Sequence, residues 1–217
     1  MEEQNGETVK HERVRATGET VSSKSRTKSV SLKLSHLLRH DANRAGLLMD
    51  SAGWCLVGDV LALLAITEAE LDEVIATNTK SRLERAGPHI RASQGHSLAG
   101  TPVTLDGLEA SWILDDADTD LWHGTTTESA ALIAKSGLLP GTRSHVHLAR
   151  SRDARVGKRS NVDIVLRISR EALKARNIAV FQAPNDVLLV RSIPAACIIW
   201  NPGATPLAQE ILIASPH

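Results

Sequence analysis

The sequence predicts an α+β protein built from two parts of different texture. Three observations support this. Apolar residues recur at helical spacing between residues 29 and 75, residues 82–93 have the form of a hairpin, and short β-branched runs dominate from about residue 100 onward. At 217 residues and 42% hydrophobic, the chain can bury a real core. With four Trp, one Phe and no Tyr, that core must be packed by Leu, Ile, Val and Ala.

Residues 1–28 mix Glu, Lys, Arg, Thr and Ser with few apolar side chains. Burial there cannot offset the entropy of ordering, so a disordered leader is expected. In SVSLKLSHLLRH (29–40), Leu34, Leu37 and Leu38 fall at i, i+3 and i+4, which predicts an amphipathic helix ending near Arg39–His40. GLLMDSAGWCLV (46–57) reads as two extended pieces around a D-S-A-G turn, and DVLALL (59–64) as a second helix. A third helix starts at Thr67, where T-E-A-E is a capping box: the Thr67 hydroxyl and the Glu70 carboxylate satisfy N–H groups that the first turn leaves free. RLERAGPHIRAS (82–93) then turns at Gly87–Pro88. Three helices and a hairpin outline a winged-helix-like lobe over 29–98. A small helical domain with no nucleic-acid role has the same outline.

The second part, 99–217, is expected to be mostly β. Its strands are VTL (103–105), HVHLA (145–149), DIVLRIS (163–169), IAVF (178–181), DVLLV (186–190) and CIIW (197–200). Two helices interrupt them. TESAALIAKSG (127–137) has Thr near its start, Lys135 near its end and Gly137 just past it, and SREALKA (169–175) is the other. LDDADTDL (114–121) places four Asp in an acidic, exposed connector.

The 25 basic and 25 acidic residues cancel, so any anion site must be local. Cys55 and Cys197 sit in apolar runs without a C-x-x-C pair, the pattern of buried free thiols in a reducing compartment. No apolar stretch approaches the roughly 18 residues of a membrane span. MEEQNGETVKHERVR lacks the apolar core of a signal peptide. A soluble, cytoplasmic monomer without an obligate protein partner or membrane contact is expected. There is no G-x-G-x-x-G, G-K-[ST], H-E-x-x-H or G-x-S-x-G, which excludes Rossmann and P-loop nucleotide binding.

Four polar clusters remain. In GTRSHVHLAR (141–150), His145 and His147 would share one strand face, with Arg143 just upstream. Zinc needs three or four ligands, and the other His, Asp and Cys residues are not grouped to supply them, so no metal is expected. Two solvent-facing histidines on a half-exposed strand is the plain alternative. LLRH (37–40) ends a helix with adjacent Arg and His, and HIRASQGHS (89–97) sets Arg91, Gln94 and His96 among small residues. Together these offer the guanidinium forks and imidazoles that hold a phosphate dianion by charge-assisted hydrogen bonds. In LWHGTT (121–126), an apolar strand meets His-Gly-Thr and a helix start, which suits a pyrophosphate or ribose, or is an ordinary strand–helix junction. Arg150, Arg152, Arg155, Lys158 and Arg159 form a basic stretch that reads as a solvated loop or as a contact to an RNA backbone.

SLKLSHLLRH, IRASQGHS, LWHGT and GTRSHVHLA, in this order, resemble the RNA 2'-phosphotransferase family, whose NAD-dependent enzymes remove the 2'-phosphate left at tRNA splice junctions. GLLMDSAGW, TNTKSR and APNDVLLV extend the resemblance over roughly residues 30–198. It implies a winged-helix-like RNA lobe, a C-terminal lobe of ADP-ribosyltransferase-like fold and an active site between them. Arg39, His40, Arg91 and Arg143 resemble the family's catalytic Arg-His-Arg-Arg set, which grips the phosphate. His123, Gly124 and Thr125 resemble its NAD-binding strand end, His147 its second signature histidine, and Asn185 the Asn of a segment usually ending Asn-Gly-Val. Here Asp186 replaces that Gly.

The implied reaction has two steps. An internal RNA 2'-phosphate attacks the nicotinamide ribose of NAD and expels nicotinamide; the 2"-hydroxyl then attacks that phosphate. The products are RNA with a 2'-OH and ADP-ribose 1",2"-cyclic phosphate. Two alternatives share these residues. One is an ADP-ribosyltransferase that modifies a nucleic-acid 5'-phosphate or a protein and stops after the first step. The other is an RNA-binding module without catalysis.

Overall fold

A computed structural model describes residues 24–78, 81–154 and 162–200. Helix α1 (24–36) runs into a π-helical turn, Leu37–Asp41, and then into α2, Ala42–Ala45. The helix therefore passes the expected end at Arg39–His40 and stops at Gly46, whose φ of 68° only a residue without Cβ adopts freely. It also starts earlier than expected. Residues 24–28 are helical, and Arg26 and Thr27 bond Glu70 and Glu73 at 2.7 Å each. Residues 1–23 of the expected leader lie outside the described residues.

Strand β1 is Cys55–Leu56, followed by α3, Val57–Leu64, and α4, Glu68–Thr77. The capping box at Thr67 forms as expected, with both reciprocal bonds present. Strands β2, Leu83–Ala86, and β3, His89–Ala92, make the hairpin, and β1 joins it in the order β1-β3-β2. Leu34, Leu38, Val60, Leu71, Val74 and Ile90 are fully or almost fully buried in one cluster, each contributing about 1.5–3 kcal/mol of transfer energy.

The remainder forms two antiparallel sheets. One has the order β10-β7-β5, from Ile198–Ile199, Ile164–Ile168 and Leu121–Thr125. The other has the order β4-β8-β9-β6, from Ile113–Leu114, Phe181–Gln182, Leu188–Val190 and Val146–Leu148. A bridge of Trp122 with Ala149 joins them, with N–H···O distances of 2.9 and 2.8 Å. Helices α6, Thr127–Ser136, and α7, Arg170–Lys174, fall where the sequence places them.

Three expectations need correction. VTL is not a strand: Leu105 opens helix α5, Leu105–Ala110, because the Thr104 hydroxyl caps it by accepting from Gly107 N at 3.0 Å. Of IAVF only Phe181 lies in a strand. The acidic connector is anchored rather than free: Asp115 is buried against Arg170 (3.1 Å) and Arg150 (2.6 Å), and Asp120 accepts from Arg167 and from Arg170 N.

A third, smaller cluster, with Val103, Leu108, Trp112, Ala183, Val187 and Leu189, also packs Met49 from the first part. Ser144 N→His96 O (2.8 Å) ties the TRSHVHL segment to the IRASQGHS segment.

Candidate active site

Arg39 and His40 project from the π turn, a helical irregularity often found at functional sites. Two contacts fix this backbone. Ser97 N donates to Arg39 O at 2.8 Å, and Gly100 lies so close that a Cβ there would be 2.0 Å from His40 O. Arg39 Nη2 reaches Arg82 O at 3.5 Å, whereas its Nε is buried without a partner. Burial, then Arg82 and Arg143, push the Arg39 pKa down to about 10. The His40 pKa is also lowered, by burial and then by His36, Arg39 and Arg143; the His36 and His40 rings are 5.8 Å apart.

His147 comes from β6 and enters the same region. A Cβ on Gly95 would lie 3.7 Å from both Arg39 Nε and His147 Cε1, so the two side chains border one glycine. Arg143 Nη1 is 3.2 Å from His147 Nδ1, and Arg donates only, so Nδ1 accepts and the proton sits on Nε2. That Nε2 is buried and has no partner. Burial, reinforced by Arg143 and Arg39, pushes the His147 pKa down to about 3. His123 on β5 donates from Nδ1 to His147 O at 2.9 Å. His145 instead turns inward, almost fully buried against Trp112 and Glu109, so the solvent-facing pair does not form.

His96 is a donor to which the sequence alone attaches no role. It is wholly buried and neither ring nitrogen has a partner. Burial first, then the charges of Arg39, Arg91, His40 and His145, push its pKa down to about 3. A neutral imidazole therefore lies amid cationic side chains.

Arg91 behaves differently from Arg39 and Arg143. It is 4% exposed and both terminal nitrogens are engaged: Nη1 bonds Ser111 Oγ (2.7 Å) and Ala52 O (3.3 Å), Nη2 bonds Glu84 (2.9 Å), and the guanidinium lies 4.6 Å above the Trp54 ring, while Nε is buried without a partner as in Arg39. Gly124 and Thr125 are buried in β5, paired with Val165 and Ile164, so His-Gly-Thr lies within the strand rather than after it. Asn185 is buried in the turn between β8 and β9, closed by Asp186 N→Ala183 O at 2.9 Å. Asp186 has φ 63°, the left-handed geometry that Gly suits, and accepts from Gln182 Nε2 at 2.7 Å. Arg150 is committed to Asp115 and Gln182, while residues 155–161 of the basic stretch lie outside the described residues. Among the described residues no group of three or more His, Cys, Asp or Glu could hold a metal ion.

Guanidinium and imidazole groups thus come together here, with partnerless buried nitrogens on Arg39, Arg91, His96 and His147, donors of the kind that hold an anion by charge-assisted hydrogen bonds. Residues 25–192 match the family described as RNA 2'-phosphotransferase, Tpt1 / KptA family. Three relatives bear the name probable RNA 2'-phosphotransferase. That of Herpetosiphon aurantiacus is 38% identical over 177 residues, covering 77% of this chain and 92% of the relative. Those of Burkholderia lata and Pseudomonas syringae pv. tomato are 37% and 33% identical, each over 76% of this chain and over 87% and 89% of their own lengths. The chain belongs to the RNA 2'-phosphotransferase, Tpt1 / KptA family and is a transferase enzyme.

Proposed function

We propose that this enzyme transfers an internal RNA 2'-phosphate to NAD in two steps, giving 2'-OH RNA, nicotinamide and ADP-ribose 1",2"-cyclic phosphate. The observation that carries this reading is the meeting of Arg39 and His147 at Gly95, with Arg143 Nη1 on His147 Nδ1. Like charges crowd there, so an anion that accepts from Arg39 Nε and the Arg143 fork relieves their repulsion. His40 stands beside them as a candidate proton donor to the departing 2'-oxygen. Arg91, tied to Glu84 and Ser111, supports the loop that bears Gly95 and His96 more than it reaches for phosphate.

The donor set also fits NAD. His147 Nε2 is a buried, partnerless donor, His123 donates to His147 O with Gly124 and Thr125 following it on β5, and Asn185 is read with them as a cofactor-binding residue. When bound, NAD supplies the electrophilic ribose carbon and nicotinamide as the leaving group. His123, held through its Nδ1 on His147 O, serves in this reading as an orienting group. In this reading residues 29–98 are a winged-helix-like RNA lobe and 99–217 an ADP-ribosyltransferase-like lobe; the separate apolar clusters of the two parts support it.

Mass spectrometry of a short RNA with one internal 2'-phosphate, incubated with enzyme with and without NAD, tests the proposal. NAD-dependent loss of the phosphate with release of ADP-ribose cyclic phosphate is expected. RNA that gains ADP-ribose and keeps it supports the one-step alternative instead, and unchanged RNA contradicts both.

A further inference from the structure

Glu109 on α5 and His145, just before β6, take no part in the site described above, yet they lie directly behind it. His145 is flanked in sequence by Arg143 and His147. Its Nε2 is 3.0 Å from Glu109 Oε1 and its Nδ1 3.0 Å from Ser144 Oγ. A carboxylate only accepts, so Nε2 carries the proton and the neutral ring accepts at Nδ1 from the Ser144 hydroxyl. Trp112 meets the ring edge-on at 5.0 Å and donates through Nε1 to Ser93 O at 3.1 Å. Glu109 is itself gripped by Arg191, whose Nε and Nη2 lie 2.7 Å from its two oxygens, and Arg191 also bonds Asp106 at 2.6 Å.

One carboxylate therefore joins α5, the end of β9 and the segment bearing Arg143 and His147. Ser144 N, bonded to His96 O at 2.8 Å, fastens the same segment to the IRASQGHS loop. Arg143, next in the chain to Ser144, donates from its backbone N–H to Pro140 O at 3.3 Å. Apolar residues of similar size would fill this interior at no greater cost than a desolvated Glu–His pair; what the pair adds is a fixed orientation.

We propose that Glu109 is a positioning residue: through His145 it holds the Arg143–His147 segment in register with Arg39 and Gly95. The inference rests on the reading of Arg143 and His147 as site residues. The test is steady-state kinetics on 2'-phosphorylated RNA with NAD for Glu109→Ala, Glu109→Gln and His145→Phe, with Tm measured alongside. Glu109→Ala is expected to lose about 100-fold in kcat, the scale of a ~1 Å misplacement, with KM for RNA changed less than about threefold. Glu109→Gln keeps an acceptor for His145 Nε2–H and is expected to recover at least about tenfold of that loss. His145→Phe keeps the packing without the hydrogen bonds, so it is expected to fold and to lose kcat as Glu109→Ala does. A kcat within about twofold of wild type in Glu109→Ala or His145→Phe, whatever the change in Tm, overturns the inference. Arg143→Ala, run in parallel, separates the two failures. Full turnover there overturns the site reading itself, whereas lost turnover there with unchanged Glu109→Ala overturns only the positioning role.

Discussion

Gly100→Ala probes how closely the helix that bears Arg39 and His40 is held. The added Cβ would stand 2.0 Å from His40 O, 2.6 Å from His40 C and 3.1 Å from His40 Cα. All three are backbone atoms, so no rotamer change relieves the clash. Restoring ordinary contact, at about 3.5 Å for carbon, requires the two backbones to part by more than about 1 Å. They cannot part independently, because Asn43 N→Gly100 O (3.1 Å) and Ser97 N→Arg39 O (2.8 Å) tie both ends of the contact. The displacement therefore reaches Arg39 and His40. A stability loss of about 1–3 kcal/mol and a fall of about 100-fold in kcat are expected. Gly58→Ala is the control, since it lies inside α3 with nothing within 4 Å of the added Cβ, and it is expected to gain about 0.5–1 kcal/mol. Urea unfolding and turnover of 2'-phosphorylated RNA measure both quantities. A Gly100→Ala enzyme that matches Gly58→Ala in each would refute the reasoning.

Three further outcomes follow from the same geometry. His96 and His147 have folded pKa values of about 3, below the ordinary 6.5, so the stability of their neutral burial is present above pH 6.5 and is lost as the pH falls toward 3. Each can contribute up to about 1.4 kcal/mol per pH unit, and a Tm series from neutral to acid pH should lose part of its slope in His96→Leu. Glu84→Ala should cost about 1–3 kcal/mol by leaving one fork of the buried Arg91 unmet, with Ser111, Ala52 O and Trp54 still holding the rest; unchanged urea unfolding contradicts this. Asp186→Ala should destabilise by about 1–2 kcal/mol, because Ala tolerates φ 63° poorly and loses the Gln182 bond, while Asp186→Gly should be nearly neutral by thermal unfolding.

Elements with local punctuation were legible in the sequence. The Thr67 capping box, the Gly87–Pro88 hairpin and the Gly137 stop all form where their residues predict. Three-residue runs were not, since VTL carries too few positions to separate strand from helix, and the Thr104 cap decides it. The π turn had no sequence signal, because it depends on packing that holds Arg39 and His40 against Ser97 and Gly100. Motifs single out the candidate residues, but not the different surroundings that the fold gives each of them. Arg91 reads like Arg39 in letters, and only its contacts with Glu84, Ser111 and Trp54 set it apart. His145 and His147 share a motif too, yet one faces Glu109 and the other Arg143.

The most direct test of the central claim, that the Arg39–Arg143–His147 cluster recognises the RNA 2'-phosphate, is a binding comparison without NAD. The Kd of an RNA with one internal 2'-phosphate would be measured against that of the same RNA with a 2'-OH, for wild type and for Arg39→Ala. Charge-assisted hydrogen bonds of about 1.5–3 kcal/mol predict roughly 10–100-fold preference for the phosphorylated RNA in wild type, largely lost in Arg39→Ala. Equal affinities for the two RNAs in wild type, or a preference that survives in Arg39→Ala, would contradict it.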